Sequence, residues 1–146
     1  MWHEILTQED IERFMEQMLY FHDSCIKEMR YVSGASVGEN LGMFPVNDRR
    51  ELRMIIQRQF AEDSAIEMVF GGLKHMKLTP LDEEYTCEIL GASMGIKDGF
   101  LYWCNEEDPS VCSADDDCAI LIYAKTLQWR TLENAMGDAD FYAVSV

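Results

Sequence analysis

A histidine, a carboxylate and a thiol occur close together at His22, Asp23 and Cys25. An imidazole base, an orienting carboxylate and a sulfur nucleophile are the groups of a Cys-His-Asp catalytic set. His22 and Asp23 are neighbours at a predicted helix-to-strand junction, where such residues commonly cap or turn the chain. Adjacent side chains on an extended backbone also point apart. We therefore favour a structural role for these residues and assign no catalytic residue.

A second candidate is a metal site built from Cys104, Cys112 and Cys118. Structural zinc sites usually contain a close cysteine pair, and the spacing C-x₇-C-x₅-C lacks one. Cys104 ends one apolar run and Cys118 begins another, so both are interpreted as small buried hydrophobes. The sequence predicts neither a metal site nor a cofactor.

Carboxylates are concentrated in the stretch 105–117, NEEDPSVCSADDD, which contains no basic residue. The alternating ligands, the central glycine and the distant glutamate of an EF-hand calcium loop are missing. We interpret the stretch as an exposed loop that could dock a basic protein partner. The residues proposed for that contact are Glu106, Glu107, Asp108, Asp115, Asp116 and Asp117.

Four arginines, at 49, 50, 53 and 58, lie within ten positions of an otherwise acidic chain. Cross-strand pairing of Arg53 with Glu28 or Glu67 is the simplest explanation for part of this patch. Arg58 falls on the apolar side of its predicted strand, and a buried arginine requires a partner. The alternative is a guanidinium fork that binds a carboxylate or phosphate, in a pocket formed by Arg58, Tyr102 and Trp103.

The sequence lacks the motifs that would identify a common enzyme class. Nucleophile-elbow, phosphate-loop, dinucleotide-binding and zinc-protease signatures do not occur. Enzymatic activity is therefore unsupported, and we lean against it.

The composition limits the classes of partner. With 27 acidic and 12 basic residues the net charge is −15, which disfavours nucleic acid and anionic membrane surfaces. The five cysteines form no C-x-x-C pair, the N-terminus is polar, and no apolar run is long enough to span a bilayer. These features predict a soluble cytoplasmic protein with reduced thiols and leave its oligomeric state open.

The clearest element is an amphipathic helix at 7–19. Thr7 is the N-cap candidate, and Glu9 and Asp10 place negative charge in the first turn. One apolar stripe follows the helical period, made of Ile11, Phe14, Met15, Met18 and Leu19. A sheet or another helix must cover that stripe.

The stretch 85–104 predicts a β-hairpin that organises the fold. Asp98-Gly99 suits the positive φ angles of a type I′ turn. With that turn, Ile96 faces Leu101 and Met94 faces Trp103, and we expect these four side chains to lie in the core.

Other strands are predicted at 24–32, 50–60, 65–70 and 118–129. The first is expected at a sheet edge and the last in the centre of the sheet. Gly71-Gly72 allows a bend after 65–70, before a further strand at 73–78. The stretches 33–47 and 105–117 are expected to be loops, 131–136 a helical turn, and the tail 141–146 either a strand or a loose end. The whole pattern predicts a single α+β domain, 1–146. In this domain the N-terminal helix packs on a mainly antiparallel sheet of six to eight strands. A sandwich and an open barrel are the two alternative arrangements of the sheet.

Five segments carry a resemblance to known proteins: HDSCIKE (22–28), LRMIIQRQF (52–60), YTCEI (85–89), IKDGFLYW (96–103) and LQWR (127–130). Together they resemble an uncharacterised family of small bacterial proteins across most of residues 22–130. The likeness includes no catalytic motif, so it implies a single domain without implying an activity or any site residue.

Two functional hypotheses remain open. The first is a small acidic protein-interaction module, for example an immunity-like protein that neutralises a basic partner. The second is a small-molecule-binding domain with a sheet-lined pocket. The sequence does not identify the partner or the ligand.

Overall fold

The computed structural model describes residues 1–111 and 118–143. The regular elements within those ranges follow one another in the order β1 (His3–Ile5), α1 (Gln8–Gln17), a 3₁₀ turn (Leu19–Phe21), β2 (Ser24–Val32), β3 (Ser36–Val37), β4 (Met43–Phe44), β5 (Glu51–Arg58), β6 (Ala65–Leu78), β7 (Ser93–Lys97), β8 (Phe100–Cys104), a second 3₁₀ turn (Pro109–Val111) and β9 (Ile120–Thr131).

Seven of these strands form one antiparallel sheet in the order β2-β5-β6-β9-β8-β7, with β1 also paired to β9. The predicted α+β class and the central position of β9 are confirmed. The sheet is not closed into a barrel, because β2 and β7 at its two ends do not pair with each other. It therefore keeps an open edge at β2, as predicted.

Helix α1 begins as the sequence predicts. Thr7 accepts a hydrogen bond from the backbone N–H of Asp10, and the Asp10 carboxylate accepts one from the Thr7 N–H. This capping box satisfies two groups that a helix start leaves unpaired. The helix ends at Gln17, before the predicted end, so Leu19 of the predicted stripe lies in the following turn and is 41% exposed. The other stripe residues are buried, and the rings of Phe14 and Trp129 lie 5.0 Å apart.

The turn after α1 has an unusual backbone. Leu19, Tyr20 and Phe21 have φ angles of 52°, 54° and 62°, in the left-handed region that side chains disfavour. Each such residue costs roughly 1–3 kcal/mol and persists only when its surroundings fix it. The Ala92 N–H donates to the Tyr20 carbonyl at 2.8 Å. The Arg58 guanidinium donates to the carbonyl of Met18, the residue before the turn.

The β7–β8 hairpin has the predicted register, with Ile96 opposite Leu101 and Met94 opposite Trp103. Asp98 and Gly99 have the positive φ angles of the expected turn, 53° and 79°. The prediction that Ile96 lies in the core is wrong, because this residue is 48% exposed. It lies two residues from the exposed turn on the outermost strand, where little of the chain is left to cover it.

The C-terminal segment crosses the sheet face opposite α1. The Gln57 side chain donates to the carbonyls of Ala135 and Gly137 at 3.0 and 2.9 Å. Glu28 accepts from the N–H groups of Phe141 and Tyr142 at 2.6 and 3.0 Å. The predicted helical turn at 131–136 is wrong, because these carbonyls are bonded to the sheet. Up to residue 143 the tail is anchored without forming a strand.

Beneath this segment, Glu67 is 4% exposed and lies at the centre of a charged network. It accepts from Arg53 at 3.2 Å, which confirms one of the predicted cross-strand pairs, and from the Tyr142 hydroxyl at 3.3 Å. It also forms an ion pair with Arg130 at 3.3 Å. The charge of a buried carboxylate needs such compensation. Burial and the neighbouring Glu67 raise the pKa of Tyr142, so this hydroxyl remains a donor.

A pH-dependent contribution is expected from Glu51 at the edge of this network. Burial acts to raise its pKa, but hydrogen bonds from Arg53 and Arg49 outweigh burial and hold the pKa below the ordinary value of 4.5. A depressed pKa gives stability that is present above pH 4.5 and lost as the pH falls through the folded-state value. In urea unfolding across an acid pH series, the free energy of unfolding should therefore fall less steeply with falling pH for Glu51→Gln than for the wild type. Glu12→Gln, at an exposed position, is the control. An equally steep fall for Glu51→Gln and the wild type would contradict the prediction.

Residues 33–47 differ from the predicted irregular loop, because β3 and β4 pair as a small ribbon. Asn40 accepts the Gly42 N–H at 3.0 Å within its turn. The ribbon is too short to show a strand period in the sequence.

Candidate functional site

Arg58, the sequence-predicted ligand-binding arginine, is 3% exposed at the end of β5. Its guanidinium donates to the carbonyls of Glu62, Asp63 and Met18 at 3.1, 2.9 and 3.0 Å. Burial lowers the pKa of this group. The partner that a buried arginine requires is thus a set of backbone carbonyls, which joins the end of α1 to the β5–β6 turn.

Tyr102 and Trp103 lie on β8, separated from β5 by two strands. Trp103 is fully buried in the main core with its ring edge-on to Phe21. Tyr102, the adjacent residue, faces the opposite side and lies 6.0 Å from the Tyr123 ring. The structure therefore does not bring Arg58, Tyr102 and Trp103 together at one cavity.

A different cavity lies under residues 79–92, which we call the covering segment. Its ends are fixed, because the Thr79 N–H donates to the Ala119 carbonyl at 2.7 Å and the Ile89 N–H to the Ser24 carbonyl at 2.8 Å. Between this segment and the sheet is a space of about 470 Å³, the apolar cavity. Its lining residues are Ile26, Glu28, Met29, Leu78, Thr79, Pro80, Leu81, Cys87, Glu88, Ile89, Asn105, Ala119 and Ile120.

The walls of the apolar cavity are largely aliphatic. Ile26, Met29 and Ile120 are partly buried side chains that pack against the main core, so the cavity extends the core surface to solvent. Within 1–111 and 118–143, the residues lining the cavity include no lysine, arginine or histidine. The charged residues of the covering segment are all acidic, and we define these exposed residues, Asp82, Glu83, Glu84 and Glu88, as the acidic rim.

The described part of the predicted acidic loop continues from this cavity. Asn105 lines it, and Glu106, Glu107 and Asp108 follow directly. The backbone carbonyls of Glu106 and Glu107 accept from the Ser93 hydroxyl, which leaves their carboxylates available, and those of Glu107 and Asp108 are exposed. Hydrogen bonds from Ser110 lower the pKa of Asp108. Asp115, Asp116 and Asp117 lie outside the described residues.

A second cavity, of about 500 Å³, adjoins the first and shares Cys87 and Glu88 with it. We call it the polar cavity, because side-chain amides, a hydroxyl and charged groups line much of it. Its lining residues are Asp23, Ser24, Cys25, Gln57, Arg58, Gln59, Thr86, Cys87, Glu88 and Met136.

The His22, Asp23 and Cys25 cluster differs in one respect from the sequence prediction. The His22 Nδ1 and Asp23 Oδ2 atoms lie 3.0 Å apart. The two side chains meet because Asp23 has a φ of 57°, so the backbone is not extended there. Cys25 faces the polar cavity from β2 and takes no part in that contact.

The cysteines provide a direct check of this arrangement. Cys87 is exposed, whereas burial raises the pKa of both Cys25 and Cys104. Because the thiolate is the reactive form, iodoacetamide should modify Cys87 first and Cys104 last. Peptide mass spectrometry over a time course measures the order. Faster modification of Cys25 than of Cys87 would contradict it and favour a nucleophilic role.

Cys104 and Cys118 are buried together beside Leu121, as predicted for small hydrophobic side chains. Cys118 is disulfide-bonded, which corrects the expectation that all thiols are reduced. Cys112, the third residue of the considered metal site, lies outside the described residues. Across 1–111 and 118–143, no group of three or more His, Cys, Asp or Glu residues is arranged to hold a metal ion.

The described residues contain no helix of the length and apolarity needed to cross a membrane. Comparison of the chain with protein-family models, with curated proteins and with solved structures gives no match. The resemblance to an uncharacterised bacterial family therefore remains a prediction, and the functional argument depends on the two cavities and the charges around them.

Proposed function

We propose that this chain is a protein-interaction module that captures a basic partner, in the manner of an immunity protein. The observation that carries the proposal is the apolar cavity under a segment whose charged residues are all acidic, with Glu88 of the acidic rim in the cavity lining. A partner that fits it presents an exposed apolar side chain flanked by lysine or arginine. The proposed contact surface includes Glu106, Glu107 and Asp108, with Asp115, Asp116 and Asp117 as its continuation along the chain.

The two parts of the site have different tasks. Burying one aliphatic side chain contributes about 1.5–3 kcal/mol, so the cavity supplies affinity. Exposed rim charges contribute little affinity each, but they accelerate encounter and select the sign of the partner's charge. A net charge of −15 extends this steering to the whole molecule.

Removing the rim charge is expected to lower the affinity for the partner about tenfold. The reason is that three exposed ion pairs with the partner, each contributing roughly 0.5 kcal/mol, are lost. The test variant carries Asp82→Asn, Glu83→Gln and Glu84→Gln. The control carries Glu9→Gln, Glu12→Gln and Glu16→Gln, the same charge change on the exposed face of α1. Partners are captured from a native lysate at low and high salt, identified by mass spectrometry and titrated against both variants.

A captured basic protein that is lost at high salt and bound normally by the control variant supports the proposal. Equal weakening by the two variants would show a general charge effect and reject the rim as the contact. Failure to capture any salt-sensitive partner would reject the proposed function itself.

A second candidate function is the binding of a small amphipathic molecule. It is favoured by the adjoining cavities, one apolar and one polar, each within the roughly 300–1,000 Å³ typical of ligand sites. A thermal-shift screen with carboxylates, nucleotides and sugars tests it. A ligand at 100 times its Kd adds about 2.7 kcal/mol of stability, and a flat response across the panel argues against this function.

A further inference from the structure

Two free thiols line the polar cavity, that of Cys25 on β2 and that of Cys87 on the covering segment. The two segments are joined beside them, because Ser24 and Ile89 form an antiparallel bridge in which the Ile89 N–H donates to the Ser24 carbonyl at 2.8 Å. Cys25 lies one residue after Ser24, and Cys87 lies two residues before Ile89. The bridge therefore holds both cysteines at the same cavity.

The local backbone is suited to joining these two residues covalently. Two cysteines can form a disulfide when their Cα atoms lie within about 7 Å, or when the backbone can move to bring them there. Residues 79–88, all of which the structure describes, include neither helix nor strand. The backbone at Cys87 can therefore make a small adjustment that a regular element would resist.

The two thiols differ in their access to solvent. Cys87 is exposed, whereas Cys25 is partly buried. Burial, and after it the neighbouring Cys87 thiol, raises the pKa of Cys25, so the two sulfurs are close enough to influence each other. A reagent from solution meets Cys87 first, and Cys25 is placed to react with the product.

Oxidation is compatible with the folded chain, and charge limits the reagent. One disulfide is already present, at Cys118. The carboxylates of Asp23 and Glu88 line the polar cavity, and its one guanidinium among the described residues, that of Arg58, is bonded to backbone carbonyls. With a net charge of −15 for the whole chain, this cavity repels an anionic reagent and admits a neutral or cationic one.

We propose that Cys25 and Cys87 are a thiol–disulfide exchange site whose substrate is a small organic disulfide without negative charge. Cys87 reacts first and Cys25 second, and the product is a Cys25–Cys87 disulfide. Because Cys87 lines both cavities, that bond ties the covering segment to β2 at the boundary between them. This chemistry is independent of the proposed capture of a basic partner.

The reaction consists of two exchange steps. In the first, the Cys87 thiolate attacks one sulfur of the disulfide R–S–S–R, the S–S bond breaks, and the released RS⁻ takes up the proton that Cys87 has lost. In the second, the Cys25 thiolate attacks the Cys87 sulfur, and a second RS⁻ leaves and takes up the proton of Cys25. Two protein thiols are thereby oxidised to one disulfide, and one organic disulfide is reduced to two thiols.

The test is incubation of the folded full chain with hydroxyethyl disulfide, an uncharged organic disulfide. The remaining thiols are then alkylated in denaturant, and cross-linked peptides are identified by mass spectrometry without reduction. The wild type should lose the Cys25 and Cys87 thiols together and yield the peptide that joins them. Cys104, which is fully buried, should stay reduced and is the internal reference.

Serine variants separate the two steps. Cys25→Ser should stop at the mixed disulfide on Cys87, whereas Cys87→Ser should keep Cys25 reduced over the same time. Accumulation of the mixed disulfide in the wild type would overturn the proposal, because it would show that Cys25 cannot reach Cys87. Cross-linking of Cys87 to Cys104 or Cys118 in place of Cys25 would overturn it as well.

Hydrogen exchange measures the effect on the covering segment. Amides of residues 80–88 should exchange more slowly in the treated wild type than in the untreated one, and Cys25→Ser should show little change after the same treatment. Equal exchange in the treated and untreated wild type would contradict the tie to β2. A wild type that forms no cross-link rejects the exchange site alone, because capture of a basic partner is measured separately.

Discussion

Replacing Arg58 with alanine is expected to lower the free energy of unfolding by about 3–5 kcal/mol. The variant would remove the guanidinium donor from the carbonyls of Glu62 and Asp63, and would leave the Met18 carbonyl with the Phe21 N–H as its donor. It would also release the left-handed turn at Leu19–Phe21, which depends on fixed neighbours. Urea unfolding of the wild type and the variant measures the difference.

Two controls separate this effect from a general loss of charge. Arg58→Lys keeps a positive charge but cannot reach three carbonyls in a fork geometry, so its loss should be intermediate. Arg30→Ala removes an exposed arginine and should cost little. If Arg58→Ala destabilised the protein no more than Arg30→Ala, the anchoring role would be wrong and the original ligand-binding hypothesis for Arg58 would gain support.

The second large effect is expected at Trp103. Trp103→Ala should cost about 3–5 kcal/mol, since it removes a fully buried ring from the main core. Trp103→Phe should cost much less than that. Among the residues that the structure describes, the Trp103 Nε1–H has no hydrogen-bond partner, so phenylalanine removes an unsatisfied buried donor along with the lost volume.

The informative quantity is the loss of unfolding free energy in Trp103→Ala relative to that in Trp103→Phe. Similar losses for Trp103→Ala and Trp103→Phe in urea unfolding would contradict a purely packing role, and would indicate that the indole N–H has a functional partner.

Local patterns predicted the parts of the fold that depend on local physics. The capping box and apolar stripe of α1 involve residues within a few positions of one another. The Asp98-Gly99 turn likewise fixes the register of its hairpin without distant help. Strand β2 agrees with its predicted bounds because its charged residues suit an open sheet edge.

The features that the sequence did not reveal depend on contacts between distant segments. Ile55 interrupts the polar face of its strand yet is 1% exposed, because the C-terminal segment, anchored to neighbouring Glu28 and Gln57, covers that side of the sheet. Nothing in Leu19-Tyr20-Phe21 indicates a left-handed turn, which is imposed by Arg58 and Ala92. These arrangements follow from tertiary contacts that outweigh local preference.

The candidate site was missed for the same reason. Residues 79–84 are mostly polar, and Pro80 and Leu81 among them were the available signal for a segment that covers apolar surface. The cavity forms because Ile89 bridges to Ser24 and Thr79 to Ala119, pairings that span about 65 and 40 residues of chain. Acidity near the site could be predicted from the sequence, but the apolar surface beside it could not.

The central claim is that the apolar cavity receives an apolar side chain flanked by positive charge. Its most direct test is methyl NMR of the full chain, titrated with a short lysine- and leucine-rich peptide and, separately, with the same peptide carrying glutamate in place of lysine. The account predicts shifts at Ile26, Leu81 and Ile120 with the basic peptide and none with the acidic one. Shifts confined to methyl groups away from the cavity, or equal responses to both peptides, would contradict it.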